Sequence, residues 1–170
     1  MQITRISMKR LLALAAVLGV LGAMPVFAGT DSSNFQVKTD VVPSCKFTVA
    51  NDVDFGSLDV YGFGTKMAIG NVSVLCTKSG SYTIELDNGV NPTGAGGRQM
   101  ASGVAVIPYE LYQDEQTTKI WKTGTDALSF VGSGLREDKI VYGVLTWTED
   151  MLPSAPVGSY VDLITATVNF

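Results

Sequence analysis

Tyr160-Val161-Asp162-Leu163-Ile164-Thr165-Ala166-Thr167-Val168-Asn169-Phe170 closes the sequence on an alternating pattern. One parity holds Ile164, Ala166, Val168 and Phe170; the other holds Val161, Leu163, Thr165 and Thr167. A period of two belongs to a β-strand, whose successive side chains point to opposite faces. The first set is expected to face a core and the second a more mixed surface. A strand of this kind at a sheet edge leaves a row of backbone groups unpaired, a hazard that proteins normally cover. No residue follows Phe170 in the sequence to cover it, so the expected cover is a strand from another polypeptide.

The same alternation runs upstream in short pieces. Phe35-Gln36-Val37-Lys38-Thr39-Asp40-Val41 has it, and Pro43 ends it. Cys45-Lys46-Phe47-Thr48-Val49 has it again, and residues 53–58 continue it. Residues 71–76 and 81–86 read as a hairpin across 77–80. Asp87-Asn88-Gly89 is a turn signal, because Asn and Gly tolerate positive φ, and residues 89–97 read as a flexible loop. Residues 104–107 and 109–112 give one or two strands, and Ile120-Trp121 a short one. Residues 126–137 read mostly as loop and 139–147 as a long strand, broken by Pro153 and Pro156. Seven to nine strands with no helix point to an all-β chain, an antiparallel sandwich with immunoglobulin-like connections, with a closed barrel as the runner-up.

The front of the chain is different. Residues 1–10 carry Arg5, Lys9 and Arg10 and no acid, residues 11–22 are apolar, and Pro25 leads to Val26-Phe27-Ala28. These are the three regions of a cleavable secretory signal. About 12 apolar residues are too few to span a bilayer as a helix. The division expected is a signal over 1–28, a leading strand over 29–42 and one β-domain over 43–170. Without the signal, nine Lys and Arg stand against sixteen Asp and Glu, a net charge of −7. That balance argues against nucleic acid, whose binders carry a basic face. No second apolar run of spanning length follows, so the mature chain is expected not to be integral to a membrane.

Two cysteines, Cys45 and Cys76, follow the signal. An even pair in an oxidising compartment reads as one disulfide. A metal site would need ligand spacing that is missing here: the chain has no histidine and no CxxC. The lack of histidine also excludes Ser-His-Asp and Cys-His catalysis. The acid pairs Asp52 with Asp54 and Glu149 with Asp150 read as turn and surface acids rather than glycosidase carboxylates. Gly94-Ala95-Gly96-Gly97-Arg98 lacks the Lys-Ser/Thr ending of a phosphate loop. The expectation is a protein that is not an enzyme and holds no cofactor. Tyr61, Phe63, Trp121 and Trp147 are the aromatics a sugar site would draw on, though each reads better as core or edge.

These pieces, in this order, resemble the spore coat protein U domain family, the subunits of archaic chaperone–usher pili. The resemblance runs over the mature chain. It is carried by the strand before Cys45, by Asp54-Phe55-Gly56, by Val72-Ser73-Val74-Leu75-Cys76 and by Tyr82-Thr83-Ile84-Glu85-Leu86-Asp87. Arg98-Gln99-Met100, Tyr109-Glu110-Leu111-Tyr112-Gln113-Asp114, Trp121, Val141-Tyr142-Gly143 and Pro156-Val157-Gly158-Ser159-Tyr160-Val161-Asp162 complete it. Where the family shows Trp-Gly, this chain has Trp121-Lys122, a loop variation.

The resemblance implies an incomplete immunoglobulin-like sandwich lacking its final strand. A periplasmic chaperone lends a strand, and an outer-membrane usher exchanges it for the leading strand of the next subunit. Carried onto this chain, the donor is residues 31–42, with Phe35, Val37, Thr39 and Val41 entering a neighbour's groove. That groove is flanked by the strand after Cys45 and by the terminal strand with Ile164, Ala166, Val168 and Phe170. The implied role is a structural subunit exported to the periplasm and then to surface pili, serving adhesion and biofilm formation. A spore or cyst coat protein, or a carbohydrate-binding adhesin module of the same fold, is the alternative.

Overall fold

Among residues 28–170, which a computed structural model describes, Cys45 opens the first paired strand. All but the last residue of the signal reading therefore lies outside the described residues. The chain divides into two units, Met1–Lys38 and Thr39–Phe170. In the first, residues 28–38 take neither helix nor strand, and Phe35 and Val37 are 86% and 89% exposed. Alternation alone does not make a strand; a ladder partner does, and a single copy of residues 35–41 has none assigned.

The second unit is built from eight strands: β1 (Cys45–Asn51), β2 (Gly64–Cys76), β3 (Ser81–Leu86), β4 (Arg98–Ser102), β5 (Ala105–Tyr112), β6 (Leu128–Val131), β7 (Arg136–Trp147) and β8 (Ala166–Asn169). Two short 3₁₀ turns, Gly124–Asp126 and Glu149–Ser154, are its helical pieces. Every strand pair is antiparallel. One sheet runs β1-β2-β7-β5-β4 and the other β6-β3-β8. Val72, Val74 and Cys76 of β2, Leu111 of β5 and Val141 of β7 meet Tyr82, Ile84 and Leu86 of β3 in one core. The fold is an all-β antiparallel sandwich, and its two sheets are left open along one side.

The hairpin read over residues 71–86 is overturned. β2 pairs with β1 and β7, whereas β3 pairs with β6 and β8. Residues 77–80 cross from one sheet to the other. Ser79, at φ 65°, donates its N–H to the Gly132 carbonyl, and Gly132 donates to Gly80. A Cβ on Gly132 would stand 2.2 Å from the Thr77 carbonyl oxygen, so only glycine fits this crossing. The reason lies in the pattern itself. Both strands bury their even-numbered residues, and two such faces satisfy each other as well stacked across a core as side by side.

Other boundaries move. β2 begins at Gly64 and is longer than residues 71–76. β4 and β6 occupy stretches read as a signature step and as loop. Residues 53–58 form no strand, and Ile120 makes only a single bridge to Tyr112. Residues 89–97 are tied by a turn in which Thr93 and Gly97 exchange hydrogen bonds.

Cys45 and Cys76 sit opposite each other in the β1–β2 register and are bonded. The bridge closes a 31-residue separation, which the chain-entropy account values at roughly 3–4 kcal/mol. Two side chains bolt the sheets together. Trp121, with no exposed surface, donates its indole N–H to the Ile84 carbonyl at 2.8 Å. Arg98, also buried, donates to the carbonyls of Asp87, Leu86 and Trp121 and pairs with Glu110.

Candidate functional site: an open groove between two sheet edges

β1 is an outer strand of the five-stranded sheet and β8 an outer strand of the three-stranded sheet. Between them lies a groove of about 860 Å³. Phe47, Thr48 and Ala50 of β1 line one wall, and residues 160–164 with Ala166 line the other. Val72, Leu86, Leu111 and Val141 of the core form part of its lining, as do Val53 and Phe55. The interior of the sandwich is thus reachable from this side. Each wall carries a strand edge with backbone groups free of any ladder partner, the arrangement that accepts an added strand.

The terminal wall is held by an unusual route. Val161 exchanges two backbone hydrogen bonds with Ala101 of β4, in the first sheet. Five residues on, Ala166 joins β8, which pairs with β3 of the second sheet. Residues 160–165 therefore strap one sheet to the other, and carboxylates fasten the strap. Asp162 Oδ1 accepts from the N–H groups of Val90 (2.9 Å) and Asn91 (3.3 Å) and from Asn91 Nδ2 (3.2 Å). Its Oδ2 accepts from the Tyr109 hydroxyl at 2.7 Å. Asp87 Oδ1 accepts from Gly89 and Thr165, both at 2.9 Å. The turn signal in Asp87-Asn88-Gly89 is thereby explained twice. Gly89 has φ 78°, and a Cβ there would stand 1.9 Å from Asp162 Oδ2.

These contacts set the titration of the clamp. Burial and the Asp162 carboxylate push the Tyr109 hydroxyl well above its ordinary range, so it remains a donor. Burial alone would raise the Asp87 carboxyl. The N–H groups of Thr165 and Gly89, with the Arg98 guanidinium, outweigh it and hold the group below its usual 3.8. A carboxyl lowered on folding contributes its stability in full above the unfolded value and loses it as pH falls through the folded one. The Thr165 amide is therefore expected to lose hydrogen-exchange protection in acid below 3.8, ahead of the amides between β3 and β6. Protection that is unchanged through that range would overturn the assignment.

The site residues read from the sequence fall in four places. Ile164 and Ala166 line the groove. Val168 is half-buried, packs on the core and faces Ile84 in the β3–β8 ladder. Phe170 departs from the inward parity: it is 60% exposed and lies at a second, shallower depression with Phe130 and Asn169. Val41, like Phe35 and Val37, is exposed, and so is Thr39. Of the aromatics considered for a sugar site, Trp121 and Trp147 are buried in different core clusters, and Tyr61 is 94% exposed. Phe63 is 41% exposed and packs on Trp147 with ring centroids 6.4 Å apart, but the four aromatics do not share one cluster. Sequence reading assigned no role to Asp162 or Tyr109. The available signal was an aspartate on the same parity as Tyr160, Ile164 and Ala166.

A family model described as Spore Coat Protein U domain matches residues 31–167. No curated protein matches the chain. Among solved structures, the chain is similar to the crystal structure of the CsuC–CsuE chaperone–tip adhesion subunit pre-assembly complex, from archaic chaperone–usher Csu pili of Acinetobacter baumannii. The identity is 20%, the TM-score 0.55, and the match covers 76% of this chain and 40% of that one. At that identity the likeness shows a shared fold.

Proposed function

Because the chain belongs to the Spore Coat Protein U domain family, we propose that it is a structural pilin that polymerises by donor-strand complementation. In this reading residues 1–28 are a cleaved export signal, 29–42 the donor strand and 43–170 the acceptor domain. The leading segment of one copy lies in the groove of the next, with Phe35, Val37, Thr39 and Val41 inward. A periplasmic chaperone holds the groove before assembly, an outer-membrane usher exchanges it, and the product is a surface pilus serving adhesion and biofilm formation. Among the described residues no helix is long and apolar enough to cross a membrane.

The observation that carries the reading is the groove itself. It opens onto Val72, Leu86, Leu111 and Val141 between two unpaired strand edges. An apolar interior left reachable by water costs stability in proportion to its area, and a strand of alternating apolar residues fits it. A spore or cyst coat would use the same assembly and differ in destination. A carbohydrate-binding module draws no support from the scattered aromatics.

Deleting residues 29–42 from the exported protein tests the reading. The shortened chain is expected to be recovered from the periplasm bound to its chaperone, yet to form no fibres alone by electron microscopy. Fibres of normal length from that chain would refute the donor assignment.

A further inference from the structure

Residues 160–168 alternate between half-buried and exposed without a break: Tyr160, Asp162, Ile164, Ala166 and Val168 turn inward. Asp162 is the one charged member. The leading segment carries the matching pattern, since Phe35, Val37, Thr39 and Val41 share a face and Thr39 is its one polar member. We propose that the inserted segment of a second copy runs antiparallel to residues 160–166 with Thr39 beside Asp162, and that this single polar contact sets the register of assembly. The proposal rests on the donor-strand reading and adds to it a register and the residues that choose it.

In this register Phe35 lies beside Ala166, Val37 beside Ile164, Thr39 beside Asp162 and Val41 beside Tyr160. Every neighbour lines the groove. The largest donor side chain meets the smallest wall residue, so the pair divides the space well. The parallel alternative, with Thr39 still at Asp162, carries Phe35 to Gly158, which is exposed and outside the groove lining. An antiparallel strand also continues the sense of the β3–β8 pair.

Slippage is what the polar pair prevents. A one-residue slip turns the apolar face outward and is excluded by burial. A two-residue slip keeps the face, and hydrophobic pattern alone does not reject it. Such a slip sets Val37 or Val41 against the Asp162 carboxylate and leaves the Thr39 hydroxyl beside Ile164 or the Tyr160 ring instead of beside a carboxylate acceptor. Asp162 has capacity for the new bond. Three N–H donors occupy Oδ1, whereas Oδ2 accepts only the Tyr109 hydroxyl and keeps a lone pair for another donor. Because Tyr109 and the turn at residues 89–91 already hold the carboxylate in place, little ordering remains to be done on insertion.

Cysteine pairs in the full-length exported chain read the register directly. Val37→Cys with Ile164→Cys is expected to give covalent ladders of subunits on a non-reducing gel, since directly opposed Cβ atoms lie within disulfide reach. Preferential cross-linking of Val37→Cys to Asp162→Cys or to Ala166→Cys would overturn the register. Normal fibres with no cross-link from Val37→Cys to any of the three positions would overturn the donor-strand reading as well. Thr39→Val is expected to speed subunit dissociation from the polymer on the order of tenfold, the value of one hydrogen bond to a charged acceptor. Thr39→Ser, which keeps the hydroxyl, is expected to restore slow dissociation. Equal rates for Thr39→Val and wild type would remove Thr39 from the mechanism.

Discussion

Arg98→Met is expected to lower the unfolding free energy by about 3–5 kcal/mol, the range for removing one partner of a buried charged network. The side chain of Arg98 has no exposed surface, and each of its three nitrogens donates a hydrogen bond. Nε and Nη2 reach the Asp87 carbonyl at 2.8 and 2.6 Å, and Nη2 also reaches the Trp121 carbonyl at 2.6 Å. Methionine fills much of the volume and replaces none of these bonds. The carbonyls of Leu86 and Trp121 would lose this donor in a buried setting, and that of Asp87 in a partly buried one; each buried unsatisfied group costs roughly 1–3 kcal/mol. Glu110 suffers less, because Lys122 lies 3.4 Å from its other oxygen and the side chain is partly exposed. Arg98→Lys is expected to fall between the two, since one ammonium does not span the fork of acceptors that a guanidinium reaches. A domain of this length has a total stability of about 5–15 kcal/mol, so the methionine variant should also be poorly recovered. Urea unfolding of the purified exported protein, in whatever assembled form it is recovered, measures it. A midpoint equal to wild type would show that the network is not a structural bolt.

Arg98 also marks where sequence reading stops. Arg98-Gln99-Met100 was visible as a signature step, but nothing in it announces a buried guanidinium, because the acceptors are backbone carbonyls contributed by β3 and by the turn around Trp121. Alternation does reveal strands that bury one face: β1, β3 and most of β7 stand where the pattern puts them. It misses β4 and β6, which are short and lack a clear apolar period. It does not say which sheet a strand joins, and so residues 77–80 read from sequence as a hairpin turn. The site was legible to the same degree. The parity of Ile164 and Ala166 is a local property and points at the groove. The strap between the sheets depends on Asp87, Tyr109 and Asp162, three residues distant in sequence whose meeting no local pattern encodes.

On the donor-strand reading, replacing Val37 and Val41 together by aspartate is expected to abolish fibre formation while export and chaperone binding continue. Each valine removed takes away roughly 1.5–3 kcal/mol of burial on insertion. Each aspartate adds the cost of taking a carboxylate from water, several kcal/mol without a paired cation. The groove makes this worse, because its lining already includes Asp52, Asp54 and Asp162. A strand of about ten residues also loses roughly 1–2 kcal/mol per residue in backbone entropy when it is ordered, so insertion has little margin to absorb such a change. Val37→Lys with Val41→Lys separates the two contributions. Lysine loses the same burial but meets carboxylates of opposite sign on a long stem, so assembly should be impaired less than with aspartate. Both variants leave residues 43–170 untouched, and their folding with the chaperone supplies the control that a core mutation lacks. The readout is the ladder of polymers that survive unheated detergent, beside the amount of chaperone-bound subunit in the periplasm. Wild-type ladders from the aspartate variant would mean that Val37 and Val41 do not enter the groove, since no apolar slot lined by three carboxylates accepts two more at no cost.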